Sequence, residues 1–231
     1  MTRIITSEIG SRVLTIPSTM DEFSILPEND PDTLPNGDPC LRIDATDDQW
    51  YAHDRSTGNP FRLPSTHPWA RTINVWVNAP VGPSGPSSSI AQAIYAGHKI
   101  NTVSATNFLM KKTSGNGYVF TVGPQPTIPG LTGRSGWHMY THIIERRTSA
   151  TTIHFTTWRN GTTQWANSTS NSVAQIDTEF EFSLGLSDAA ALNSRAMFNA
   201  SDPYIYIGKL AVWHRVLTTL EILSLYEAMY V

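Results

Sequence analysis

The chain has 231 residues, of which 40% are hydrophobic and only 15% charged, with a formal net charge of −3. The charged share is well below the roughly 25% of an average soluble protein, and Ser, Thr, Asn and Gln fill the difference. A weakly charged, slightly acidic surface excludes a nucleic-acid binder, which needs a basic stripe. The length suits one all-β domain.

The N-terminus, MTRIITSEIGSRVLTI, has no apolar run after its first basic residue. No secretory signal is therefore expected, and no segment reaches the ~18 apolar residues of a membrane span. Three N-x-S/T sequons, at Asn160, Asn167 and Asn199, would matter only in a secretory pathway. Cys40 is the single cysteine, so neither an internal disulfide nor a thiolate zinc cluster can form. A small core residue is its expected role.

Residues 12–16 have strand character. Pro27, Pro31, Pro35 and Pro39 follow at nearly regular spacing. Proline gives no N–H to a ladder, so residues 1–40 are expected to be a strand and an extended arm, followed by one sandwich domain over 41–231. Leu41 and Ile43 then alternate with Arg42 and Asp44. In TINVWV, residues 72–77, Ile73, Val75 and Val77 share one face and Trp76 the other. Bulk on both faces predicts a central strand. Further strands are expected over 90–98, 108–112, 118–122, 139–146, 152–159, 178–186 and 204–213. Asn160-Gly161 reads as a hairpin turn, because both residues tolerate positive φ, with 162–165 returning.

One segment, LEILSLYEAMY, has helical spacing. Thr218 before it and Glu221 three residues on form a capping-box pattern, each side chain satisfying an otherwise orphaned backbone N–H. About a dozen strands and one short C-terminal helix indicate an all-β class.

The stretch from Ile207 to Met229, IGKLAVWHRVLTTLEILSLYEAM, resembles the C-terminal signature of concanavalin A-like jelly rolls of the laminin-G-like type. The matching positions are Gly208, Arg215, Leu217, Thr218, Glu221 and Ile222. TINVWVNAP with Trp76, GWHMYTHIIERR with Trp137 and His138, and TIHFTTWRNGTTQ with its Asn160-Gly161 turn are similar to earlier strands of that family. The resemblance extends over roughly residues 70–231. It implies an all-β, two-sheet antiparallel jelly-roll sandwich with a short C-terminal helix, a fold that hosts lectins, glycosidases, lyases and structural modules, so activity must be argued from the site.

Asp177, Glu179 and Glu181 alternate along a strand, which could place paired carboxylates as a retaining glycosidase needs. The order Asp-Thr-Glu-Phe-Glu departs from the tight motif of such enzymes, and Phe180 and Phe182 claim the core face. The acids are therefore expected in solvent, and the chain is read as a non-enzyme. Asp44, Asp47, Asp48 and Asp54 could supply oxygen ligands to calcium, which laminin-G-like domains often bind at a rim loop. A solvated acidic loop is the alternative. His138 and His142 would stand roughly 13 Å apart on a strand, too far to share a metal. Trp158 and Trp165 flank the hairpin turn, and Trp50 and Tyr51 adjoin the acidic loop. These aromatics fill the inter-sheet core or form a glycan platform.

Two functions follow as expectations. The first is a structural or attachment module on the surface of a phage virion, a capsid decoration or tail component assembled in the host cytoplasm. Its partners would be other virion proteins, and it would form a homo-oligomer, with no membrane or nucleic-acid partner. The alternative is a lectin-like module that binds carbohydrate, such as a cell-surface glycan.

Overall fold

The computed structural model describes residues 4–6, 13–15, 23–25, 34–38, 40–44, 52–54, 68–78, 92–99, 106–112, 117–122, 131–132, 136–147, 153–169, 180–184 and 204–229. Side chains are described at 34–38, 40, 68–78, 136–147, 153–162 and 206–229.

Two antiparallel sheets form the molecule, a β-sandwich of jelly-roll type with a short helix at its C-terminal end. The first sheet is built from β1 (Ile4–Thr6), β2 (Val13–Thr15), β5 (Ala52–Asp54), β14 (Phe180–Leu184), β7 (Gln92–Lys99), β8 (Thr106–Lys112), β9 (Gly117–Val122) and β10 (Leu131–Thr132), in that spatial order. The second runs β13 (Thr163–Thr169), β12 (Ile153–Arg159), β11 (His138–Arg146), β6 (Trp69–Asn78), β15 (Tyr204–Trp213), β4 (Leu41–Asp44) and β3 (Phe23–Ile25). Helix α1 spans Thr219–Glu227. Strands β1, β2 and β3 come from the first forty residues and join both sheets, so the boundary expected at residue 40 marks no break in the ladders. β2 falls within the strand expected over 12–16, whereas β1 and β3, three residues each, are too short for alternation to show in the sequence.

The second sheet is organised around β6, its central strand, which pairs with β11 from Trp69↔Arg146 to Val77↔His138 and with β15 on the other side. Ile73, Val75 and Val77 are fully buried on the inner face, with Tyr140 and Ile144 of β11 and Ile153 and Phe155 of β12 in the same layer. On the outer face, Trp76, Met139, Ile143, Trp158 and Tyr206 form a second apolar cluster, covered by Leu217, Ile222 and Met229 from α1 and its flanks and by Leu34 and Cys40. The Trp76 ring lies parallel to that of Tyr226, with centroids 5.8 Å apart. Beneath this cover Asn74 Nδ2 donates to Thr141 Oγ1 at 2.7 Å.

Two glycines set how closely the cover approaches. Gly208 lies under Leu34, whose Cδ1 would stand 2.6 Å from any added Cβ. The ladder of β15 shifts register between Gly208 and Ala211, and Lys209 adopts a left-handed φ of 48° inside this bulge, its ammonium 2.5 Å from Asp38. Gly161 follows Asn160 in the hairpin turn, with φ of 70° and 52°. A Cβ at Gly161 would meet Leu223 Cα and Tyr226 Cβ at 3.2 Å, so the turn and α1 pack backbone against backbone. Asn160 ties the turn to β11, since its Oδ1 accepts from Met139 N at 2.9 Å.

His142 sits fully buried in the inner layer, 3.4 Å from Thr157 Oγ1, and burial pushes its pKa down from 6.5 to about 3. Above pH 6.5 folded and unfolded chains both hold it neutral. Between about 6.5 and 3 the unfolded chain alone takes the proton, so stability falls with acidification by up to about 1.4 kcal/mol per pH unit. Urea unfolding at pH 7 and pH 5 is expected to show this loss, and His142→Phe to flatten it. Gly161→Ala combines left-handed strain with a backbone clash and is expected to cost about 2 kcal/mol, read from the urea midpoint.

Candidate functional site

Strand β15 leaves the sheet at Trp213, opposite Thr72. Thr72, fully buried, clamps the segment that follows: its Oγ1 donates to Arg215 O at 2.7 Å and accepts from Leu217 N at 3.2 Å. Leu217 is thereby held in the core at 4% exposure. The chain then turns into α1 at Thr218, where the capping box foreseen from the sequence is complete. Thr218 Oγ1 accepts from Glu221 N at 3.3 Å, and Thr218 N donates to Glu221 Oε2 at 2.8 Å.

Arg215 grips the same carboxylate with both terminal nitrogens, Nη1 to Oε2 at 2.9 Å and Nη2 to Oε1 at 2.5 Å. The guanidinium, and next the Thr218 backbone N–H, hold the Glu221 carboxyl down at about 2. Glu221 reciprocally raises Arg215. This ion pair is exposed and keeps its charges throughout the physiological range.

Between this turn and α1 lies an open groove of about 370 Å³, lined among the described residues by Trp213, Arg215, Leu217, Leu220, Glu221, Ser224 and Leu225. That volume is at the lower end of small-ligand sites. Trp213 and Leu225 are half-buried, resting on the outer-face cluster on one side and lining the groove on the other. Leu220 is 75% exposed and Val216, in the same turn, 40%. The groove offers an aromatic surface, fixed carboxylate oxygens and the Ser224 hydroxyl. Among the described residues it has a single carboxylate, whereas acid–base glycoside hydrolysis uses two.

Of the glycan and calcium candidates named from the sequence, Trp158 has a described side chain, and it does not line this groove. Trp158 is 9% exposed and packed into the outer-face cluster, which gives it a core role beneath α1 and no open platform. Trp165 pairs with Thr157 in the β12–β13 ladder, while Trp158 pairs with Gln164, so the two tryptophans are not cross-strand neighbours. Trp50 and Tyr51 lie outside the described residues, as do Asp47 and Asp48. Asp44 closes β4 in one sheet and Asp54 closes β5 in the other. Glu181 is in β14, paired with His98; Asp177 and Glu179 are outside the described residues. Among the described residues no three His, Cys, Asp or Glu side chains gather to hold a metal ion. Sequence reasoning passed over Trp213 as a site residue. Its signal was position, the last residue of a strand directly before the Arg-x-Leu-Thr turn.

No protein-family model matches the chain, and no curated protein does. Solved structures do match its fold. The binding domain of botulinum neurotoxin DC, solved with rat synaptotagmin II and also with SialylT, aligns with 99% of the chain in the first case and 98% in the second, at a TM-score of 0.57 and 11% identity in both. The receptor-binding domain of botulinum neurotoxin type G aligns with 96% of the chain at 0.52 and 13% identity. Trypanosoma rangeli sialidase, in complex with the inhibitor DANA, aligns with 88% at 0.53 and 10% identity. The chain spans about half of the neurotoxin binding domains and 29% of the sialidase. The shared feature is the β-sandwich fold.

Thr218→Ala removes the N-cap and is expected to cost about 1 kcal/mol of stability, read as a lowered urea midpoint.

Proposed function

We propose that the chain is a non-catalytic, lectin-like binding module whose ligand is a glycan. The observation that carries this reading is the alignment of nearly the whole chain with receptor-binding domains, one of them solved with SialylT. The sialidase likeness admits a glycoside hydrolase as the competing class. The one carboxylate among the groove's described residues, Glu221, is held ionised down to about pH 2, which favours binding, because an ionised carboxylate cannot serve as general acid near neutrality.

These likenesses support the carbohydrate-binding alternative more than a virion surface role. Virion partners, a closed homo-oligomer, and calcium at Asp44, Asp47, Asp48 and Asp54 rest on the sequence alone. A glycan array probed with the purified chain, with calcium and with chelator, tests the function. Retention of a defined glycan class is expected, with no release of reducing sugar. An array without a hit, or turnover of a bound oligosaccharide, overturns the reading.

A further inference from the structure

We propose that the groove between Trp213 and Ser224 is the glycan site, and that it takes a neutral hexopyranose and rejects sugars bearing a carboxylate. This rests on the glycan-binding reading above and adds a place and a chemical class.

The indole of Trp213 is anchored by the outer-face cluster behind it and borders the groove in front. A pyranose presents a face of C–H bonds that packs on such a ring, and a rigid aromatic loses little conformational entropy on binding. Glu221 and Ser224 stand three residues apart on α1, hence on one helix face, and both line the groove. Four hydrogen bonds fix the Glu221 carboxylate: two from Arg215, one from Thr218 N and one from Thr218 Oγ1. Three of them end on Oε2. Oε1 receives only the Arg215 bond, so it keeps acceptor capacity for a sugar hydroxyl. Ser224 adds a hydroxyl that can donate or accept.

Charge decides the ligand class. Arg215 is the single cation among the described lining residues, and each of its terminal nitrogens donates to Glu221. Nη1 also donates to Val216 O at 3.3 Å. Lys209, on the bulge of β15, is paired with Asp38 and does not line the groove. A carboxylate entering the groove would meet the Glu221 charge, while the one cation among the described lining residues is already neutralised by that same carboxylate. Neutral hydroxyls meet no such barrier. The apolar walls, Leu217, Leu220 and Leu225, suit the same C–H-rich ligand.

The test is titration of the intact chain with methyl hexopyranosides, N-acetylneuraminic acid and glucuronic acid, followed by tryptophan fluorescence and the indole N–H resonance of Trp213. Neutral glycosides are expected to perturb Trp213 and to bind about tenfold or more tighter than either acid. Ser224→Phe blocks the groove from an exposed helix position and is expected to abolish binding with the melting curve retained. Trp213→Ala is expected to weaken binding about tenfold. Glu221→Gln releases Arg215, and its preference is expected to turn toward the acidic sugars. Acids binding as tightly as neutral glycosides would overturn the ligand class. Array binding retained in full by Ser224→Phe and Trp213→Ala would overturn the site while leaving the glycan reading intact. A dimer by light scattering that Leu220→Glu splits, without sugar binding, would show that the groove is covered by a second copy.

Discussion

An outward-facing tryptophan in a central strand has to be covered. Trp76 places its ring on the face of β6 turned away from the sandwich interior, and it is 1% exposed. Its burial is worth at most about 6 kcal/mol, from roughly 250 Å² at about 25 cal/mol per Å². That cover comes from the C-terminal helix, through the parallel Tyr226 ring, and from the Leu34–Cys40 segment. Much else in the C-terminal third follows from it. Gly161 must lack a side chain so that the hairpin turn and α1 can touch, and Gly208 must lack one so that Leu34 can enter. The capping box and the Arg215–Glu221 pair hold the helix start at the place where the cover begins.

A nine-residue helix does not span a seven-stranded sheet, and its N-terminal end leaves Trp213 partly bare. The groove is therefore a consequence of how the outer face is closed. Its polar groups are the same ones that stabilise the helix start, so their mutual hydrogen bonds orient them without a ligand. Such preorganisation lowers the entropy cost of recognition. It also settles the local charge, because a guanidinium already paired with a carboxylate is a poor receptor for another.

Strand identity was largely legible. Residues 72–77, 139–146, 152–159 and 204–213 carry period-two alternation or β-branched density, and each lies within or nearly coincides with an observed strand. The strands that escaped notice, β1, β3, β5 and β10, are two or three residues long, too short for any period to register. β5 lies in the stretch taken as an acidic ligand loop, since Ala-His-Asp carries no strand signal of its own. Trp158 was weighed between the inter-sheet core and a glycan platform; it occupies a third environment, beneath the helix.

Local chemistry written within a few residues was decided by the sequence: the all-β class, the Asn160-Gly161 turn, the Thr218–Glu221 cap and the central position implied by bulk on both faces of TINVWV. These depend on backbone sterics and side-chain reach between near neighbours. Which tryptophan is covered and which lines a groove was decided only by tertiary packing. Trp76, Trp158 and Trp213 all sit in strands of one sheet and share its outer face. Their exposure depends on where a helix from the end of the chain comes to rest, and that resting place is set by contacts with residues as distant in sequence as Thr72 and Gly161.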